Sequence, residues 1–279
     1  MSVFRIDARG PFEHAAARAM LTAHAIPGAE EFDGERYRRL LMLDGAPTLA
    51  TIGLDAGGVS VELDRDPSDP ETLSMLVARW FDLERDLTHV NATLATDPLI
   101  APFIAARPGL RLIGYPDEFE AVAATVIGQQ VSLAAARTFA SRLVAAFGQP
   151  HGHLRLFPEA HVLAGLDVEE IRQCAGLTNA RARTLHGVAT LWAEGPLLAG
   201  LEPEAARRLL LEIPGVGPWT ADYLLVRALQ DPDVFAPGDL VARRALGGVD
   251  QKTAAQLAAR WAPFRSYALL HLWTDAAYL

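Results

Sequence analysis

The stretch Leu211-Glu-Ile-Pro-Gly-Val-Gly-Pro-Trp-Thr-Ala-Asp-Tyr-Leu-Leu-Val-Arg-Ala-Leu229 decides how this chain is read. A helix predicted over Pro203–Leu211 runs into Pro214-Gly215-Val216-Gly217, which must turn sharply. A second helix restarts at Pro218, a residue suited to the first helical position, and continues to Leu229. The result is a helix–hairpin–helix. Its glycine turn points backbone N–H groups outward at a helix N-terminus, an arrangement suited to one phosphate. Gly215 and Gly217 would let a nucleic-acid backbone come close, and Thr220 adds a hydroxyl.

The second helix has an unusual wheel. Ala221, Leu224, Leu225, Ala228 and Leu229 form one apolar face, whereas Trp219 and Tyr223 fall on the opposite side, where a surface helix carries charge. The aromatic pair either packs on a neighbouring helix or lines a binding surface. Further on, Asp239 follows Pro237-Gly238 and precedes a helical run over Leu240–Leu246, which reads as an N-cap. A helix N-terminus also favours an ionised carboxylate, so the same residue is placed to stabilise a developing cation beside the aromatic surface.

Outward from this segment, helix is predicted over Pro98–Ala106, Glu118–Ile127, Leu133–Phe147, Asn179–Glu194, Thr253–Trp261 and Ser266–Ala277, with short Gly/Pro connections. The first third reads differently. A helix over His14–Ala25 is followed by candidate strands at Tyr37–Leu43, Thr48–Leu54 and Val59–Leu63, then by a helix opened by Asp69-Pro70-Glu71. The fold class is therefore α+β: an N-terminal domain over residues 1–91 with a small antiparallel sheet, and an all-α domain over residues 92–279 carrying the hairpin.

Composition narrows the chemistry. With 279 residues, 51% hydrophobic and 21% charged, the chain has the balance of a folded protein. Its one cysteine, Cys174, can form neither an internal disulfide nor a four-cysteine cluster, and it reads as a small buried apolar residue. Lys252 is the one lysine, so a lysine nucleophile has a single candidate. The eight histidines show no paired metal spacing and read as structural or surface groups. No apolar run of membrane-spanning length or signal core occurs, which predicts a cytoplasmic protein with no membrane partner. The net charge of −9 argues by itself against a polyanion partner, yet residues 1–100 carry −8 of it and residues 101–279 only −1.

On these residues the chain resembles the helix-hairpin-helix DNA glycosylases, and within them the DNA-3-methyladenine glycosylase II (AlkA) type. Pro214–Gly217 followed by Asp239 matches the superfamily signature, and further similar segments lie at Ala106–Gly114, Gly128–Ser132, Trp219–Tyr223 and Arg265–Trp273. The resemblance implies base excision repair of duplex DNA containing alkylated bases, with no required cofactor, by a monomer that associates with the nucleoid. It implies Asp239 as the catalytic carboxylate, and Trp219, Tyr223, Trp273 and Met20 as lining of the base pocket. It places Gly215, Gly217 and Thr220 on a DNA phosphate, and a Na+ or K+ ion on the carbonyls of Leu211, Ile213 and Val216. Gln130 stands where the best-known pattern has a leucine wedge, and Leu240 where some members have an aromatic residue; both bear on substrate range. Members that also cleave the strand use a lysine two residues after the second hairpin glycine, where Trp219 stands here, so the resemblance implies a monofunctional enzyme. The competing readings are a non-enzymatic DNA-binding module and a bifunctional glycosylase/lyase.

Overall fold

The computed structural model describes residues 3–278. The chain opens with strand β1 (Val3–Asp7), helix α1 (His14–His24) and strands β2 (Glu30–Asp33), β3 (Arg36–Leu43), β4 (Ala46–Asp55) and β5 (Gly58–Leu63). Together these strands make one antiparallel sheet in the order β1-β5-β4-β3-β2. In β5, Val59, Val61 and Leu63 are fully buried while Ser60 and Glu62 are half-exposed, the alternation expected of a sheet with one wet face. Asp44 and Gly45, both at positive φ, close the two-residue turn between β3 and β4.

The three strands expected from the sequence are the central ones. The two edge strands, VFRID and EEFD, carry charges at alternate or adjacent positions, a pattern that edges tolerate and that does not read as buried sheet.

Helices α2 (Pro70–Trp80), α3 (Leu87–Leu94), α4 (Ala101–Ala106), α5 (Glu118–Ile127) and α6 (Leu133–Phe147) follow. A two-stranded hairpin of β6 (Pro150–His151) and β7 (Leu154–Arg155) precedes α7 (Ala160–Ala164), α8 (Val168–Ala175) and α9 (Asn179–Trp192). The chain then forms α10 (Pro203–Glu212), α11 (Pro218–Arg227), α12 (Leu240–Ala245), α13 (Gln251–Ala258) and α14 (Arg265–Trp273). Helices α3, α7 and α8 and the β6–β7 hairpin were not expected. In α3, LTHVNATL is poor in helix formers, and it is started by Asp86, whose carboxylate accepts from the Thr88 amide at 2.9 Å. Cys174 on α8 is half-buried instead of buried. Among the described residues no helix is long and apolar enough to cross a membrane.

Two apolar cores meet along α1. Ala17, Met20 and Leu21 pack into the core beneath the sheet, whereas Ala16, with Ile26 just beyond the helix, joins the core of the helical bundle. Arg111 fastens the same seam from the other side: although only 2% exposed, it donates to the carbonyls of Arg9 at 2.6 Å, Asp82 at 2.6 Å and Arg85 at 3.0 Å. Gly109 is required beside it, because a Cβ there would come within 2.8 Å of the Glu13 backbone nitrogen. This seam holds α1 against the bundle and aims Met20 and His24 at the space in front of α11.

Candidate active site

The hairpin is built as its sequence demands. Gly215 has φ +91°, and a Cβ on it would meet Thr184 Oγ1 at 2.0 Å, so only glycine fits. Thr184 Oγ1 also donates to the Pro214 carbonyl at 3.0 Å. A Cβ at Gly217 would meet nothing within 4 Å, which leaves that side of the turn open to an approaching chain. Arg207 clamps the two helices together through a 2.7 Å bond from Nε to Asp222.

Thr220, expected on a phosphate, is buried at the turn. It is 4% exposed, and its hydroxyl oxygen already accepts from Gln129 Nε2 at 3.1 Å. Gln129 also donates to the Gly215 carbonyl at 3.0 Å, so it ties the α5–α6 turn to the hairpin. A ligand above the turn therefore meets backbone amides before it meets this hydroxyl. Gln130, the next residue, is exposed at positive φ in that same turn. The carbonyls of Leu211 and Ile213 lie at the C-terminal end of α10 and that of Val216 in the turn that follows. Ile213 O accepts from the Val216 amide at 3.0 Å, and such neutral oxygens suit a hard monovalent cation. Among the described residues no cluster of His, Cys, Asp and Glu could hold a metal ion.

Asp239 caps α12, its Oδ1 accepting from the Ala242 amide at 2.8 Å. It is also held by two indoles. Trp273 Nε1 donates to Oδ1 at 3.0 Å and Trp219 Nε1 donates to Oδ2 at 2.8 Å. Two indoles, 20 and 34 positions away from Asp239, thus converge on one carboxylate that is 5% exposed. Oδ2 takes a single N–H in this set and keeps acceptor capacity for a further partner.

The indoles also begin an aromatic wall. Trp219 and Tyr223 stack with centroids 5.2 Å apart at 25°, and Tyr223 meets Trp273 at 5.5 Å and 47°. The wall faces a cavity of about 330 Å³, of which Met20 and Asp239 are also part. The helix wheel is thereby resolved: Ala221, Leu224 and Leu225 are buried in the bundle, and the opposite aromatic face lines the cavity.

The floor of this cavity was not legible. Arg227, one turn beyond Tyr223, holds its guanidinium 5.3 Å from the Tyr115 ring centroid and 6.0 Å from that of Tyr223. His24 lines the same space, contrary to its reading as a structural or surface histidine. Burial, followed by Arg227 and Arg137, pushes its pKa down to about 3, so it is neutral. From the sheet come Glu30, Tyr37 and Arg39, where Glu30 accepts from the Tyr37 hydroxyl and from Arg39 Nη1 at 2.8 Å. Arg39 Nη2 bonds Glu120, whose carboxyl burial lifts to about 7. By contrast, His271 lies in α14 with its side chain buried away from the cavity. A second cavity, of about 450 Å³, shares Arg39 and Pro116 with the first but contains none of the expected site residues.

Comparison with known proteins supports the same assignment. Residues 3–117 match the AlkA N-terminal domain, and residues 123–260 match the HhH-GPD superfamily base excision DNA repair proteins. The chain is 36% identical over 282 residues to the probable bifunctional transcriptional activator/DNA repair enzyme AlkA of Mycobacterium tuberculosis, covering 97% of this chain. It spans 56% of that relative's length. It is 30% identical over 283 residues to DNA-3-methyladenine glycosylase 2 of Escherichia coli, covering 97% of this chain and 96% of that one. The solved 3-methyladenine DNA-glycosylase of Archaeoglobus fulgidus shares the fold throughout, with a TM-score of 0.86 over 100% of both chains at 21% identity. The chain belongs to the AlkA-type DNA-3-methyladenine glycosylase family, within the HhH-GPD superfamily of base excision repair proteins.

Proposed function

We propose that this protein is a monofunctional DNA glycosylase that flips alkylated bases out of duplex DNA and hydrolyses their glycosidic bonds. The observation that carries this reading is the Asp239 carboxylate, gripped by Trp219 and Trp273 at 2.8 and 3.0 Å at the edge of an aromatic cavity. A DNA anchor needs neither a buried carboxylate nor a cavity. The family relationship supports DNA as the partner, and the open face of the hairpin at Gly217 gives its backbone a place to rest.

A base in stacked duplex is out of reach until it is extruded, at a cost of a few kcal/mol that damage reduces. Alkylation on a ring nitrogen gives the base a positive charge, which makes it a better leaving group. Stacking against Trp219 and Tyr223 contributes about 0.5–2 kcal/mol for such a cation. As the C1′–N bond breaks, its electron pair goes to the base, which leaves neutral, and the sugar becomes an oxocarbenium ion. The Asp239 carboxylate stabilises that charge, and Oδ2 has the spare acceptor capacity to orient water onto C1′. The water adds its oxygen to C1′ and gives up a proton through the Asp239 carboxylate to bulk water, which leaves an abasic site.

No lysine lines the cavity, and Lys252 is exposed in the first turn of α13, which supports hydrolysis over Schiff-base chemistry. We place Na+ or K+ on the hairpin carbonyls of Leu211, Ile213 and Val216, where it would stiffen the turn against a phosphate. The enzyme acts as a cytoplasmic monomer on the nucleoid, one lesion at a time. Incubation with methylated duplex DNA and chromatography of the released material tests the reading. Release of 3-methyladenine or 7-methylguanine is expected, with no covalent adduct trapped by borohydride. DNA binding without base release would leave only the anchor.

A further inference from the structure

We infer that Gln129 is a positioning residue for base extrusion: it locks the α5–α6 turn to the hairpin, so that DNA seated on the hairpin meets the cavity mouth at one fixed spacing. This rests on the glycosylase reading and concerns a step before bond cleavage. The turn, Gly128-Gln-Gln-Val-Ser132, belongs to the mouth, since Gly128, Val131 and the following Leu133 line the same cavity as Trp219 and Asp239. Gln130 is exposed there at φ +54°, a left-handed conformation that a residue with a Cβ keeps only where its neighbours hold it.

Gln129 supplies that hold from both of its ends. Its carboxamide nitrogen has two hydrogens and two acceptors within reach, the Gly215 carbonyl of the hairpin at 3.0 Å and Thr220 Oγ1 of α11 at 3.1 Å. Its main-chain carbonyl accepts from Arg181 Nη2. Arg181 lies one turn before Thr184 on α9, and Thr184 Oγ1 donates to the Pro214 carbonyl at 3.0 Å. One face of α9 thus holds both the turn and the hairpin, and Gln129 closes the third side of the triangle. None of these bonds involves Asp239 or the two indoles that grip it.

Extruding a base leaves a gap that the stack refills unless a side chain occupies it, and Gln130 is exposed at the mouth to do so. If Gln129 lets go, the backbone can still rest on the hairpin and Asp239 can still act, but Gln130 loses its register with the gap. The loss then falls on extrusion of a paired base and largely spares an unpaired one, for which extrusion costs least. Gly215 is exposed, so water can replace the lost donor there and the fold tolerates the change.

The test is single-turnover release of 7-methylguanine by wild type, Gln129→Met and Arg181→Met from two duplexes, one with cytosine opposite the lesion and one with a tetrahydrofuran abasic analogue opposite it. Gln129→Met is expected to slow release from the paired duplex about tenfold or more, while release opposite the analogue stays within about threefold of wild type. Arg181→Met frees the other end of the same residue and is expected to shift the ratio in the same direction. A melting curve on each variant ensures that the ratios come from folded protein, and the second variant decides the matter if the first is unstable. Rates that hold or fall together on both duplexes overturn the inference, because a purely structural role moves both substrates alike. Wild type releasing base from neither duplex would instead overturn the glycosylase reading, and the inference with it.

Discussion

At its mouth the cavity is bounded by residues of the helical bundle, Trp219 on α11, Asp239 at the start of α12 and Trp273 on α14, and neutral donors surround one carboxylate. At its floor the sheet supplies Glu30, Tyr37 and Arg39, which bond chiefly to one another and, behind the cavity, to Glu120 of α5. The mouth keeps acceptor capacity for an outside partner, whereas the floor consumes its charges internally. On the proposed function the difference divides chemistry from support: the floor fixes the sheet against the bundle, and the mouth is the side offered to the substrate.

The largest effect that could break this division belongs to the floor. Arg39→Met strands two buried carboxylates and is expected to lower stability by about 3–5 kcal/mol, measured by denaturant unfolding. The loss should shrink in mild acid, because protonation removes the stranded charge of Glu120, whose carboxyl is held by burial above the usual carboxylate range. If Arg39→Met instead stayed as stable as wild type and lost only excision, the floor would belong to the chemistry.

The mouth responds in the other direction. Trp273→Phe and Trp219→Phe each keep a ring but remove one N–H from Asp239, and each should slow base release about tenfold with about 1 kcal/mol or less lost in stability. Equal losses in rate and in folded fraction would mean that the indole bonds serve folding alone.

The remaining effect concerns pH. Burial in α14, with a contribution from Arg107, pushes the His271 pKa down to about 3, below the unfolded value of about 6.5. Below pH 6.5 the unfolded chain takes a proton that the folded chain refuses, so stability falls as the pH drops from 6.5 toward 3. The slope approaches about 1.4 kcal/mol per pH unit for that proton. His271→Leu should flatten the profile, as followed by thermal melts from pH 7 to 4; an unaltered slope would assign it to other groups.

The same division explains what the sequence conveyed. The hairpin, Asp239 and the aromatic face of α11 lie within 26 residues, and glycine, proline and helical spacing record them locally. Trp273 and Met20 came through resemblance, since nothing near them in the chain marks a pocket. The floor left no local sign: Glu30 sits in an edge strand, Arg39 is one of three arginines in the run RYRR of β3, and Tyr115 follows a glycine in a loop. Arg227 was visible only as the end of a helix, because the wheel identifies a face without showing what the facing α1 places opposite it. Likewise, the partner that buries Thr220 is Gln129, 91 positions away.

The central claim is that Asp239 performs excision while the hairpin and aromatic wall hold the DNA. Single-turnover release of 7-methylguanine and equilibrium binding to the same duplex, both measured on Asp239→Asn, test it most directly. Release is expected to fall about 10²–10³-fold or more with binding within about threefold of wild type. Release at the wild-type rate by the Asn protein would contradict it.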